Sequence, residues 1–273
     1  MQQELRPDTQ LYQFIEAGEE AIAGSCNFIE KGTELATHEV FLRKVARRST
    51  KLPRTQIFTT NYDLAFETAA ARLGFAVIDG FTFSNPALFD PVVFDRDHAR
   101  REPTGAMEPI DWVPNVVQLH KLHGSIDWVA EDGKIRRGNP SKRPAIVYPR
   151  SSKFEVSYQQ PFLELMGRFQ AMLRRSGTGL IVAGSGFEDR HLAEPFMAAI
   201  RGNVGINVVV VARSLEKKTD GVAGDLKKLI QRGDRRIALV AGSFDEFDDE
   251  KPDLVARMDG ETHATRLASL IDG

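Results

Sequence analysis

Apolar residues recur at three-to-four spacing through the first fifty positions: Leu11, Phe14 and Ile15, then Val40, Phe41, Leu42 and Val45. This period predicts helices, interrupted near Gly24–Ser25 and at Gly32, so residues 1–54 read as a helical segment closed by Pro53. The pattern then changes. Thr55–Thr60 (TQIFTT) is a β-branched and aromatic run that predicts a buried strand. Leu64, Ala65, Phe66, Ala69, Ala70 and Leu73 follow as an apolar stripe on good helix formers, with Asp63 placed to cap that helix and Gly74 to end it. Phe75–Ile78 reads as the next strand.

From Asp79 to Asn115 the chain is rich in Pro, Asp, Phe and Arg without clear periodicity, which marks an irregular insertion. Its aromatic and basic stretch, Phe81–Arg101, suits a surface that orders against another subunit, or a loose surface loop. Val116–Leu122 returns to strand character, Trp128–Arg143 predicts a hairpin around Glu131–Gly133, Ile146–Tyr148 a short strand and Phe162–Leu173 a helix. Beyond this, apolar strands at Gly179–Ala183, Ile206–Ala212 and Arg236–Val240 alternate with helices at Asp189–Ile200 and Asp220–Gln231. Such alternation predicts a doubly wound, mostly parallel α/β sheet covered on both faces. The expected organisation is one domain over 1–273, with a Rossmann-like core at 55–243, an insertion at 79–115 and a helical tail at 244–273.

Composition narrows the class. A chain of 273 residues buries a sizeable core without staples, and its single cysteine, Cys26, forms no intrachain disulfide. Reducing cytoplasm is the expected compartment. With 36 Lys+Arg against 38 Asp+Glu, a formal charge of −2 sets up no global basic field, so neither direct nucleic-acid binding nor attraction to an acidic membrane is expected. The polar start MQQELRPDTQ lacks a signal-peptide core, and no apolar run approaches a membrane span of about 20 residues.

In doubly wound sheets ligands sit beyond the carboxyl ends of strands. Three clusters stand there: Thr59-Thr60-Asn61-Tyr62-Asp63, His120-Lys121-Leu122-His123-Gly124-Ser125, and Gly184-Ser185-Gly186-Phe187. Asn offers a donor and an acceptor, His exchanges a proton near neutral pH, and a Gly-Ser-Gly turn at a helix start presents backbone N–H groups to an anion. Together they suit a phosphorylated, hydroxyl-rich ligand. Taken singly, Asp63 also reads as a helix cap, each His as a turn or core residue, and Gly-x-Gly as common in α/β proteins. His120 and His123 lack the Cys or carboxylate partners of a metal site, so no metal is expected.

The order and content of the three clusters resemble the sirtuin family. TTNYD is similar to its Thr-Gln-Asn-Ile-Asp motif, LHGS to its Leu-His-Gly-Ser motif and GSGF to its Gly-Thr-Ser-Leu loop. The longer stretches IFTTNYDLAFETAA, KLHGSIDW, IVYPRSSKF and GSGFEDRHL resemble sirtuin-like domains of bacterial anti-phage defence systems, particularly those encoded beside HerA-like ATPases. The resemblance implies that Asn61 is catalytic, that Asp63 shapes the nicotinamide pocket and that His123 works on the nicotinamide ribose. It assigns cofactor contacts to Thr59, Thr60, Gly184, Ser185, Gly186 and Phe187. It further implies NAD as substrate, a homo-oligomer and a HerA-like ATPase or helicase partner.

The implied reaction is NAD hydrolysis to nicotinamide and ADP-ribose, depleting NAD during defence. The alternatives are a non-catalytic NAD- or ADP-ribose-binding scaffold subunit and an NAD-dependent protein deacylase. Deacylating relatives build their peptide groove with a zinc module of four cysteines, and one cysteine cannot make it. The family's first strand also ends in a Gly-rich phosphate loop, and residues 1–54 contain no β-branched run ahead of Gly-x-Gly. The expectation is therefore an incomplete sirtuin-like domain, whose slot beside Ile57 and Val182 is filled by upstream sequence or a neighbouring subunit, or stays open.

Overall fold

The computed structural model describes residues 10–101, 111–140, 144–147, 160–213, 215 and 218–246. The chain forms two compact units, residues 1–42 with 50–166 and residues 43–49 with 167–273.

In the first unit, α1 (Gln10–Cys26) runs through Gly24 and Ser25, with the Ser25 hydroxyl donating to the Ala21 carbonyl at 2.8 Å. Residues 21–26 are therefore helical, and the interruption expected near Gly24 comes after Cys26. Helix α2 spans Ala36–Ala46. Strand β1 (Thr55–Thr59) leads through the Asn61 loop into α3 (Ala65–Arg72), then β2 (Ala76–Ile78). After two short strands, β3 (Ala99–Arg100) and β4 (Asp111–Trp112), β5 (Val116–Lys121) inserts between β1 and β2, giving a parallel sheet of order β1-β5-β2. Ile57 sits opposite Leu119, and both are buried. Burial of a leucine side chain contributes about 2 kcal/mol, so this central pair is a main tie of the sheet. Strands β6 (Trp128–Glu131) and β7 (Lys134–Arg137) form the expected hairpin, turning on Asp132 and Gly133. The strand expected at Ile146–Tyr148 reduces to one bridge between Gly124 and Ile146, and Tyr148 lies outside the described residues.

The insertion departs from its expected role. Asp90 caps a 3-10 turn, Pro91–Asp95, by accepting the Val92 N–H at 3.0 Å. Phe81, Val93 and Phe94 are buried, and Phe81 meets Phe89 and Trp128 edge-on at centroid distances of 5.7 and 5.4 Å. Such edge-to-face pairs add stability beyond their buried area. Phe81 and Phe94 are thus core residues and are not free to meet a partner, whereas Phe83 is 79% exposed. Irregular backbone assembles this cluster, which is why no helical or strand period announced it.

The second unit carries β8 (Gly179–Ala183), α5 (Arg190–Gly202), β9 (Asn207–Val211), α6 (Gly221–Gln231) and β10 (Ile237–Val240), preceded in sequence by α4 (Phe162–Arg174). Their parallel order is β10-β9-β8. Val208 to Val211 of the central strand are all buried, as a strand covered on both faces requires. On α5, Ala193, Phe196, Met197 and Ile200 repeat at helical spacing and turn one face inward.

The fold is therefore mixed α/β with parallel sheets, as the alternation predicts. Its described strands hydrogen-bond as two three-stranded parallel sheets and two two-stranded antiparallel ones, with β1 and β8 each at an edge of its three-stranded sheet. Among the described residues, no helix is long and apolar enough to cross a membrane. Of the tail expected at 244–273, residues 244–246 form a helical turn and the rest lies outside the described residues.

Candidate functional site

In the first unit the loops after β1 and β5 are knitted together by backbone bonds. Leu122 N–H donates to the Thr59 carbonyl at 2.9 Å, and Ile126 N–H to the Tyr62 carbonyl at 3.0 Å. The Ser125 hydroxyl reaches the same Tyr62 carbonyl at 3.3 Å. The Thr59 hydroxyl accepts the Asn61 N–H at 3.0 Å, fixing the turn from which the exposed Asn61 projects. The Tyr62 hydroxyl donates to the Val147 carbonyl at 2.6 Å, and Val147 N–H returns to the His123 carbonyl at 2.8 Å. Asn61 and His123 thus stand on adjoining, backbone-locked loops at the carboxyl edge of one parallel sheet, where such folds hold ligands.

The two histidines part ways. His120 is fully buried, stacked between Phe58 and Phe94 at 4.4 and 4.2 Å, while His123 is only half-buried. His120 is a core residue, whereas His123 is partly open to solvent at the sheet edge. Among the described residues no group of three or more His, Cys, Asp or Glu is arranged to hold a metal.

The Asp63 side chain shapes the backbone around it: its Oδ1 accepts the Ala65 N–H at 2.9 Å in a turn just ahead of α3, whose N-cap position is Leu64 and not Asp63 as expected. Beneath it lies a residue that sequence reasoning missed. The Lys121 side chain, 4% exposed, donates to the Asp63 carbonyl and to Glu67 Oε1, the latter at 2.9 Å. One buried ammonium therefore joins the end of β5 to the start of α3 and holds the Asp63 turn. Burial pushes the Glu67 carboxyl above its usual range, and the charge of Lys121 pulls it back. Farther along, Arg137 pairs with Asp79 and stands 3.8 Å from buried Asp127, its guanidinium 4.6 Å over the Phe81 ring.

The N-terminal helices add Cys26 and His38. Burial pushes the Cys26 thiol up, with the Asp63 carboxylate adding to the rise. Burial pushes the His38 imidazole below its usual 6.5, Asp63 opposing, and its ring meets Phe66 edge-on at 4.8 Å. No local motif marks either residue, because α1 and α2 approach Asp63 only through the tertiary fold. The depressed His38 value has a definite sign: the unfolded chain binds more protons than the folded one between the two values. Stability contributed by neutral His38 is complete above about pH 6.5 and is lost as pH falls through the folded value. Denaturant unfolding at pH 7.5 and 5.5 is expected to show this loss, and His38→Phe to shrink it; an unchanged slope in the variant contradicts the assignment.

In the second unit, Gly184 N–H donates to the Val211 carbonyl at 3.0 Å, placing the Gly184–Phe187 turn at the carboxyl end of β8 beside β9. Two backbone N–H groups close to this turn have side-chain partners. The Ser185 hydroxyl oxygen accepts the Phe187 N–H at 3.1 Å, and Asp189 caps α5 by accepting the His191 N–H at 3.0 Å. Ser185 and Asp189 thus already take these two N–H groups. Ser185 keeps its hydroxyl hydrogen to donate, which suits a ligand hydroxyl. Phe187 holds a left-handed backbone at φ 56°, an uncommon conformation for a bulky residue. Thr59, Thr60, Asn61, Asp63 and His123 lie in the first unit and Gly184 to Phe187 in the second.

Residues 55–223 match the family described as SIR2-like domain. The chain belongs to this family. A search of curated proteins found no match. SIR2-like domains bind NAD and are in general NAD-dependent enzymes, and the matched segment contains all three motif clusters, Thr59–Asp63, His120–Ser125 and Gly184–Phe187.

Proposed function

We propose that this SIR2-like chain hydrolyses NAD to nicotinamide and ADP-ribose. The observation that carries the reading is the locked pair of loops presenting exposed Asn61 and half-buried His123 at one sheet edge, while His120 is sealed in the core. Breaking the bond between nicotinamide and ribose develops positive charge on the sugar, so the site must position a water and accept a proton. Asn61, with a donor and an acceptor, orients the water and the ribose hydroxyls. His123 acts as general base through a ribose hydroxyl, a role worth roughly 10²–10⁴ in rate. Asp63, with the turn held by Lys121, frames the nicotinamide end. Thr59 and Thr60 line the same loop, and the motif resemblance assigns Gly184 to Phe187 of the second unit to adenosine contacts.

Nicotinamide release from NAD by the purified protein, followed by chromatography, tests this directly. Release without any acyl-lysine peptide supports the hydrolase. Release only when such a peptide is present identifies a deacylase instead. A second reading, a non-catalytic NAD- or ADP-ribose-binding subunit, is favoured by the helical course of residues 21–26, which leaves no Gly-rich phosphate loop there. Binding of ADP-ribose without nicotinamide release selects it. The motif resemblance extends the proposal to an effector of anti-phage defence, acting in the cytoplasm as a homo-oligomer with a HerA-like ATPase.

A further inference from the structure

The second unit presents cations next to the Gly-Ser-Gly turn that the three motif clusters do not include. Three loops follow one another across the carboxyl edge of its sheet. Gly184 N–H binds the carbonyl of Val211, the last residue of β9, and Ala212 N–H binds the carbonyl of Val240, the last residue of β10, at 3.1 Å. Arg213 therefore leaves the central strand between the Gly184 turn and the Gly242–Ser243 turn, and its side chain is exposed. Lys218 folds back so that its ammonium donates to the Gly186 carbonyl at 3.3 Å.

Acidic side chains stand next to the turn. Asp189 already caps α5, and Glu188 approaches the α-carbon face of Gly186, its carboxylate 3.5 Å from where a β-carbon would stand. Two carboxylates thus stand beside the turn. What remains is a hydroxyl donor, Ser185, and one strand over, a guanidinium. In βαβ nucleotide sites, the residue at the end of the second strand reads the adenosine ribose: a carboxylate there binds the free 2′-hydroxyl and an arginine accommodates a 2′-phosphate.

We propose that Arg213 reads the 2′ position of the adenosine ribose and that the site prefers the 2′-phosphorylated dinucleotide, NADP, over NAD. This rests on the reading of the chain as a dinucleotide-binding enzyme and deepens it. The forked guanidinium matches a phosphate with two parallel hydrogen bonds, which a lysine ammonium does not reproduce. Competing charges are close by: Asp245 and Glu246 follow β10, and Glu246 is held by Ser243 N–H at 2.7 Å. Arg213 contributes to holding both carboxyls below their usual range, behind their hydrogen bonds to Ser243. A 2′-phosphate at Arg213 therefore meets these nearby acidic groups, and removing one of them is expected to strengthen its binding.

Isothermal titration with ADP-ribose and with 2′-phospho-ADP-ribose tests this. The wild type is expected to bind the phosphorylated ligand at least about tenfold tighter, a difference of about 1.4 kcal/mol. Arg213→Ala is expected to bring the ratio of the two affinities near one, Arg213→Lys to leave it between, and Asp245→Asn to raise it. Circular dichroism melting confirms that each variant is folded. Equal affinities in the wild type, or a ratio that survives Arg213→Ala, overturn the proposal while leaving the dinucleotide reading intact. Binding of neither ligand overturns both.

Discussion

His123→Ala and Asn61→Ala are each expected to cut nicotinamide release by roughly 10²-fold or more, the scale on which positioned acid–base groups act. The fold should barely register either change. Asn61 is exposed, and the loop around it is held by backbone groups: its own N–H on Thr59, the Tyr62 carbonyl on Ile126 and Ser125. The His123 carbonyl, which anchors Val147, survives truncation to alanine. Melting temperatures are therefore expected within about 2 °C of wild type. A drop of many degrees, with normal turnover in the fraction still folded, would falsify the catalytic assignment and return both residues to a packing role.

Gly124→Ala is expected to have the largest effect on stability. A β-carbon at Gly124 would lie 2.2 Å from the Ala145 carbonyl oxygen and 2.9 Å from the Ile146 α-carbon, on a backbone at φ +86°. Left-handed strain costs roughly 1–2 kcal/mol and overpacking roughly 1–3 kcal/mol more. Backbone cannot rotate away as a side chain can, so the segment carrying Val147 must shift, and with it the partner of His123. The sum, about 3 kcal/mol, should lower the melting temperature by about 10 °C. Gly133→Ala is the control: at φ +70° it carries the strain, yet nothing lies within 4 Å of its added β-carbon. Equal losses in the two variants would show that strain alone matters at Gly124.

The regular elements were legible in the sequence because each buries one periodic stripe. Asn207–Val211, Gly179–Ala183 and Ala65–Arg72 fall where apolar runs and stripes place them, and Asp189 caps the helix that follows it, whereas Asp63 stands one residue ahead of the α3 N-cap, Leu64. The strand-end rule likewise located Asn61 and His123. What stayed hidden depends on partners distant in sequence. Lys121 reads as one more polar residue of a motif until α3 brings Glu67 to it. Phe81, Phe89 and Phe94 have no common period, since their cluster with Trp128 forms from turns. The carboxylates at the Gly186 turn were visible as letters, but their effect on an anion depends on a capping geometry that letters do not contain.

The insertion of β5 between β1 and β2 also bears on how the chain reaches its fold. Gln56 and Gln118, whose side chains bond across β1 and β5 at 2.8 Å, are 62 residues apart. Val182 and Val210, paired across β8 and β9, are separated by less than half of that, with a single helix between the strands. Closing the longer loop costs more chain entropy before any contact offsets it, and non-local pairing slows folding. The second unit's sheet can therefore zip from successive neighbours, whereas the first unit's sheet must wait for the whole insertion to be made. The Asn61 and His123 loops are tied to each other only once β5 has docked on β1, so their geometry depends on the longer closure.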